Sequence, residues 1–270
     1  MNSHISNGIA DIFQTEKGNE SFEVKIKMEK EKIYIGCSGF YNNDWKGSLF
    51  PEEAKSKDFL TLYSKEFNCV EINSTFYRKP TAKTLLKWFD ETPDDFKFFI
   101  KMPKTISHEK RLKDCREEIL NFCNHIQSGL KNKLAGFLYQ FPPSFKNSGE
   151  NSDVIKDSLD PNFLNVIEFR HESWWENEVF EALKLNNIVF SGVSFPSDLP
   201  DEVIISNSDV LYYRLHGKPV LYKSEYTEEF LENLAAKFRD NSLKSYVFFN
   251  NTWGTAAIKN ALYLKRILEE

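Results

Sequence analysis

Short apolar runs punctuate the chain from residue 33 onward, each rich in Ile, Val, Phe or Tyr. They span Ile33–Ser38, Cys69–Asn73, Phe96–Met102, Leu134–Phe141, Val166–Arg170, Ile188–Ser194, Val210–His216 and Tyr246–Asn250. Runs of this length and composition read as buried strands. Between most of them apolar residues recur every three or four positions, which predicts helices with one buried face. Phe59, Leu60, Tyr63 and Phe67 form one such stripe. Leu112, Cys115, Ile119, Phe122, Cys123, Ile126 and Leu130 form another. Tyr226, Phe230, Leu231, Leu234 and Phe238 make a third, and Ala257, Ala261, Leu264 and Leu268 close the chain. Thr81, directly after Pro80, and the stretch Ser224–Glu228 supply N-cap chemistry for the second and seventh helices.

Strands alternating with helices predict an α/β protein with a parallel sheet, and eight strands close a (β/α)8 TIM-like barrel. The link from Phe195 to Asp209 carries two prolines and no helical period, so the sixth helix is expected to be short or missing. The link from Pro142 to Asn165 is thin as well. Residues 1–31 are polar and weakly periodic. They read as a loosely ordered leader with a short strand near Phe22–Ile26, followed by a single barrel domain over 32–270.

Composition narrows the setting. Hydrophobic residues at 41% and 24 Phe exclude bulk disorder. A net charge of −5 argues against an extended nucleic-acid track, which favours a basic surface. No apolar stretch reaches the roughly 18 residues of a membrane span, and the polar N-terminus lacks the apolar core of a signal peptide. Cys37, Cys69, Cys115 and Cys123 form no C-x-x-C pair and read as free thiols of a cytoplasmic protein. Dinucleotide-binding, P-loop and nucleophile-elbow signatures are missing.

In a barrel, working groups gather at the C-terminal ends of the strands. Those ends carry Glu71 and Asn73, Lys101, Gln140, Glu168 and Arg170, Arg214 and His216, and Asn250. Residues two apart on a strand share a face, and buried charge is expensive unless paired. A pocket lined by this set is therefore expected. Glu168 with Arg170 also reads as an internal ion pair, and His216 as a satisfied core histidine. His108 overhangs the same end. His125 reads as a satisfied structural histidine, and Trp45 and Trp174 as core or pocket wall.

The motifs, taken together, resemble the YecE-like family, whose domain carries unknown-function number 72. Ile35-Gly36-Cys37-Ser38-Gly39-Phe40, Val70 to Tyr77, Gln140-Phe141-Pro142-Pro143-Ser144-Phe145, Glu168-Phe169-Arg170-His171 with Trp174, Tyr213 to Gly217 and Phe249-Asn250-Asn251 carry the likeness in order. It covers about Ile33 to Leu268. Cys37 and Phe40 stand where the family pattern has Thr and Trp. The resemblance implies a TIM-like barrel, irregular in its helices, and supplies no reaction.

Three chemistries suit the strand-end set. In the first, an enzyme uses Glu168, Glu71 and His216 as catalytic acid/base groups. Asn73, Lys101, Gln140, Arg170, Arg214 and Asn250 then bind a small anionic substrate, phosphorylated or sugar-like. In the second, Glu71, Glu168, His171 and His216 hold a metal in a sugar- or phosphodiester-processing barrel. In the third, the same residues bind an anionic metabolite or a nucleic-acid end without turnover. The residues name no cofactor and leave the oligomeric state open.

Overall fold

The computed structural model describes residues 33–201, 209–240 and 243–270. The expected leader, with its strand near Phe22–Ile26, lies outside the described residues. The strands are β1 (Ile33–Cys37), β2 (Cys69–Ile72), β3 (Lys97–Lys101), β4 (Leu134–Gln140), β5 (Asn165–Glu168), β6 (Ile188–Phe190), β7 (Gly192–Ser194), β8 (Val210–Leu215) and β9 (Lys244–Phe249). Between them lie α1 (Phe59–Glu66), α2 (Ala82–Asp90), α3 (Arg116–Leu130), α4 (Gly149–Ser158), α5 (Asn177–Leu185), α6 (Glu228–Arg239) and α7 (Ala256–Glu269). No described helix is long and apolar enough to cross a membrane.

All strand pairs are parallel, in the orders β2-β3-β4-β5-β6 and β7-β8-β9-β1. Strands β6 and β7 are halves of one run broken at Ser191, whose N–H donates to Ile167 O of β5 at 2.8 Å. At the other join, side chains bridge β1 and β2. Tyr63 Oη accepts from Cys37 N at 2.7 Å and donates to Cys69 O at 3.0 Å, while Asn68 Oδ1 accepts from Ile35 N. The eight expected runs thus form the TIM-like ring, and every run but the sixth is followed by a helix among the described residues. Gly36 sits at the β1–β2 join, where a Cβ would lie 2.2 Å from Cys69 O.

The helix predictions hold with local adjustments. Thr81 accepts from Thr84 N and Thr227 from Phe230 N, each at the N-cap. Helix α3 begins at Arg116, because Arg111, Leu112 and Asp114 adopt left-handed backbone just before it. The thin link after Pro142 carries α4, which buries only Ile155 and Ser158 and so shows little periodicity. No helix lies among residues 195–201; the rest of that link is outside the described residues.

Apolar packing falls into two layers. The larger fills the space between the ring and its helices, and takes in Trp45 and Trp174. The smaller plugs the ring itself with Cys69, Phe99, Leu138, Val166, Val189, Tyr212, Tyr246 and Phe248. Phe99 is its centre, 4.8 Å from Tyr212 and 4.7 Å from Tyr246 between ring centroids. All four cysteines are buried free thiols.

Candidate functional site

For six of the eight plug residues, strand alternation places a residue of the polar layer two positions on. Cys69 is followed by Glu71, Phe99 by Lys101, Leu138 by Gln140, Val166 by Glu168, Tyr212 by Arg214 and Phe248 by Asn250. Successive side chains of one face stack along a strand, so the polar set forms a layer on top of the apolar plug, at the strand C-termini. Glu71, Glu168, Arg214 and His216 are fully buried there. Asn73, Lys101, Gln140, Arg170 and Asn250 are half-buried above them.

Arg214 joins the two carboxylates. Its Nη2 donates to Glu71 Oε1 at 2.6 Å and its Nη1 to Glu168 Oε2 at 2.5 Å. Glu71 also accepts from Ser38 Oγ at 2.6 Å and from Tyr212 Oη at 2.7 Å. Glu168 Oε1 accepts from Arg170 Nε, the pair expected from their spacing. The Arg170 guanidinium lies over the Phe195 ring, 3.9 Å from its centroid.

His216 is satisfied on both ring nitrogens. Asn250 Nδ2 donates to Nδ1 at 2.9 Å. The Nε2 proton is therefore the one that faces Glu168 Oε2 at 3.1 Å. Arg170 Nη2, 3.2 Å from the same nitrogen, then packs against it without a hydrogen bond. Burial first, and the Arg170 charge second, push the His216 pKa down to about 3, so the ring is neutral near pH 7. For Glu168, burial pulls upward, but Arg170, Arg214 and His216 outweigh it and hold the carboxyl well below its usual range. Arg214 stays charged, its burial more than offset by Glu168 and Glu71.

A second chain of contacts runs through the half-buried groups. Lys101 Nζ donates to Gln140 Oε1 at 3.1 Å and lies 4.5 Å over the Phe76 ring. Gln140 Nε2 donates to Phe141 O at 2.9 Å and faces His108 Nε2 at 3.4 Å. His108 thus reaches this end of the ring, as its position suggested. Burial first, then Lys101, lower its pKa to about 4. Asn73 Oδ1 is buried without a hydrogen-bond partner among the described residues.

The ligand set of the metal reading is not assembled. Arg214 occupies the space between Glu71 and Glu168, and His171 Nδ1 accepts from Ser173 N at 3.1 Å. No group of three His, Cys, Asp or Glu side chains converges on one point among the described residues.

A family model described as a protein of unknown function, DUF72, matches residues 34–270. The chain belongs to the DUF72 family. Among relatives, UPF0759 protein YunF of Bacillus subtilis (strain 168) is 26% identical over 88% of this chain and 95% of its own length. UPF0759 protein YecE of Escherichia coli O157:H7 is 37% identical over 70% of this chain and 64% of its own. A crystal structure of a DUF72 family protein from Thermotoga maritima MSB8 superposes with a TM-score of 0.79 at 34% identity, covering 88% of this chain and 99% of that one. A DUF72 protein of Enterococcus faecalis V583 gives 0.77 at 22% identity, over 88% of this chain and 96% of its own.

In this DUF72 chain the strand-end residues expected from sequence share one end of the ring. His125, by contrast, contacts Pro80 O at 2.8 Å, a structural tie. Trp45 and Trp174 are core, their indole N–H groups donating to Gly254 O and Phe145 O. Sequence reasoning missed Tyr212 and Ser38 as partners of Glu71. The signal for Tyr212 was the same two-residue step that singled out Arg214 and His216. Ser38 ends the first apolar run, where a lone serine gives no signal of its partner.

Proposed function

We propose that the strand-end layer is the working site of an enzyme acting on a small anionic substrate, phosphorylated or sugar-like. One observation carries the reading: the layer holds a surplus positive charge on its half-buried side. Glu71 and Glu168 are matched by Arg170 and Arg214. Lys101 has no such carboxylate among the described residues, and its contacts are Gln140 and Phe76. A partly desolvated surplus cation attracts an anion far more strongly than a surface lysine does.

The two depths suggest a division of labour. Lys101, Arg170, Asn73, Gln140 and Asn250 are the groups a substrate meets first, and Arg170 and Lys101 would hold its anion. Arg214 spends both Nη groups on carboxylates, which supports a positioning role for it. Glu168, ionised well below pH 7, suits accepting a proton better than donating one. Neutral His216 orients it through Nε2–H, and Glu71 holds Arg214 in place. The acidic chain and its small cationic site favour a metabolite over a nucleic-acid backbone. The buried free thiols fit a reducing compartment such as the cytoplasm.

A thermal-shift screen of phosphorylated metabolites tests this. Ligands should raise the Tm of the wild type, and Arg170→Met should abolish the rise. A screen with no anion-dependent shift would overturn the reading. Binding that survives in Glu168→Gln while no turnover is found in the wild type would favour a binding protein instead.

A further inference from the structure

Lys101 differs from the other cations of the layer in what holds it. Arg170 and Arg214 are fastened to carboxylates. Lys101 Nζ has a single hydrogen bond, to the neutral Gln140 Oε1, and the apolar face of Phe76 beside it. An ammonium makes up to three hydrogen bonds, so the protein leaves two directions of Nζ without a partner among the described residues.

The one bond is closely fixed from behind. Ser107 Oγ donates to Pro103 O at 3.2 Å, so it accepts from His108 Nδ1 at 3.0 Å. His108 Nε2 is then the acceptor facing Gln140 Nε2. Gln140 also donates to Phe141 O, which turns its carbonyl oxygen toward Lys101. This directional chain places an amine, half-buried, at the end of β3 with no carboxylate in ion-pair contact among the described residues. A structural lysine fills its donors, as Lys133 does with Phe89 O, Thr92 O and Thr92 Oγ1; Lys101 does not.

We propose that Lys101 is a reactive amine that forms an imine with the carbonyl carbon of a small anionic aldehyde or ketone. The proposal rests on the anionic-substrate reading above and narrows it. The neutral amine adds to the carbonyl carbon, forming the C–N bond as the C=O π bond opens. The resulting carbinolamine loses its oxygen as water, which carries away both amine hydrogens, and C=N remains; hydrolysis reverses the sequence. Arg170 is the cation placed to hold the anionic end. Desolvation and neighbouring cations are the means by which proteins make lysine nucleophilic. Here burial first, then the Arg214 charge, bring Lys101 down to about 8.

The test uses pyridoxal phosphate as a phosphorylated aldehyde, with borohydride to reduce any imine, and peptide mass spectrometry to locate it. At low reagent ratio, Lys101 should be labelled about tenfold or more faster than exposed lysines. Its rate should rise through pH 8, inorganic phosphate should slow it, and Gln140→Leu should lower it. Label confined to surface lysines would overturn the proposal. Phosphate binding that Lys101→Met abolishes, with no label on Lys101 in the wild type, would overturn the imine and leave the anion reading standing. Labelling at Lys101 that phosphate does not slow would overturn the anion reading beneath it.

Discussion

Arg214 and Glu168 meet at 2.5 Å across the mouth of the ring, and neither is open to water. The second arm of Arg214 reaches Glu71, so one guanidinium compensates two buried carboxylates. Removing one partner of a buried pair costs about 3–5 kcal/mol, because the other charge is left uncompensated. Arg214→Ala should therefore lower the urea midpoint by the equivalent of that energy. An unchanged midpoint would mean that Arg214 does not compensate the two carboxylates. The same logic makes Arg214→Ala a poor probe of activity, since it disturbs the whole layer.

Glu168→Gln keeps the shape of the side chain and removes one negative charge beside Arg170. The layer then gains a second surplus cation. Inorganic phosphate should bind about tenfold more tightly, the scale of one extra charge at an effective dielectric near 20 after partial screening, while any proton-accepting turnover is lost. Calorimetric titration of both proteins checks this; weaker binding in the variant would contradict the charge assignment.

Acid should destabilise the fold in two stages. An unfolded histidine takes up a proton near pH 6.5, whereas His216 in the folded site resists it down to about pH 3. Between those values the unfolded state binds more protons, so stability falls as pH falls, by up to about 1.4 kcal/mol per pH unit. Glu168 acts in the same direction lower down. It stays ionised in the folded state below the unfolded glutamate value of about 4.3, so its contribution is lost as pH drops further. His216→Gln should flatten the profile between pH 6.5 and 4.5 in chemical denaturation. A profile as steep as the wild type's would remove His216 from the account.

Gly36 has no room for a methyl group. A Cβ would lie 2.2 Å from Cys69 O and 2.8 Å from Tyr63 Oη, the atoms that join β1 to β2. Gly36→Ala should destabilise the fold by about 1–3 kcal/mol or more through overpacking, read as a lower Tm. A Tm within a degree of the wild type would show that the join has slack.

Much of this was legible in the sequence, for a local reason. A two-residue step on a strand is a statement about one face, so Glu71 with Asn73, Glu168 with Arg170 and Arg214 with His216 declared their common side directly. Tyr212 obeys the same step, yet an aromatic in an apolar run reads as core, and it is both core and partner to Glu71. What no local pattern carries is the pairing across the ring. Glu71 and Arg214 are 143 positions apart, and which carboxylate takes which arm depends on how the ring closes. Helix α4 escaped because a helix that buries so little leaves almost no stripe. The Lys101–Gln140–His108 chain escaped because it depends on side-chain direction between strand ends and a loop.

The most direct measurement is a calorimetric titration of the wild type and Lys101→Met with inorganic phosphate, alongside their melting curves. The account predicts one site per chain in the wild type, weakened about tenfold or more in the variant, with Tm little changed. Equal binding by the two proteins, or none by the wild type, would contradict it.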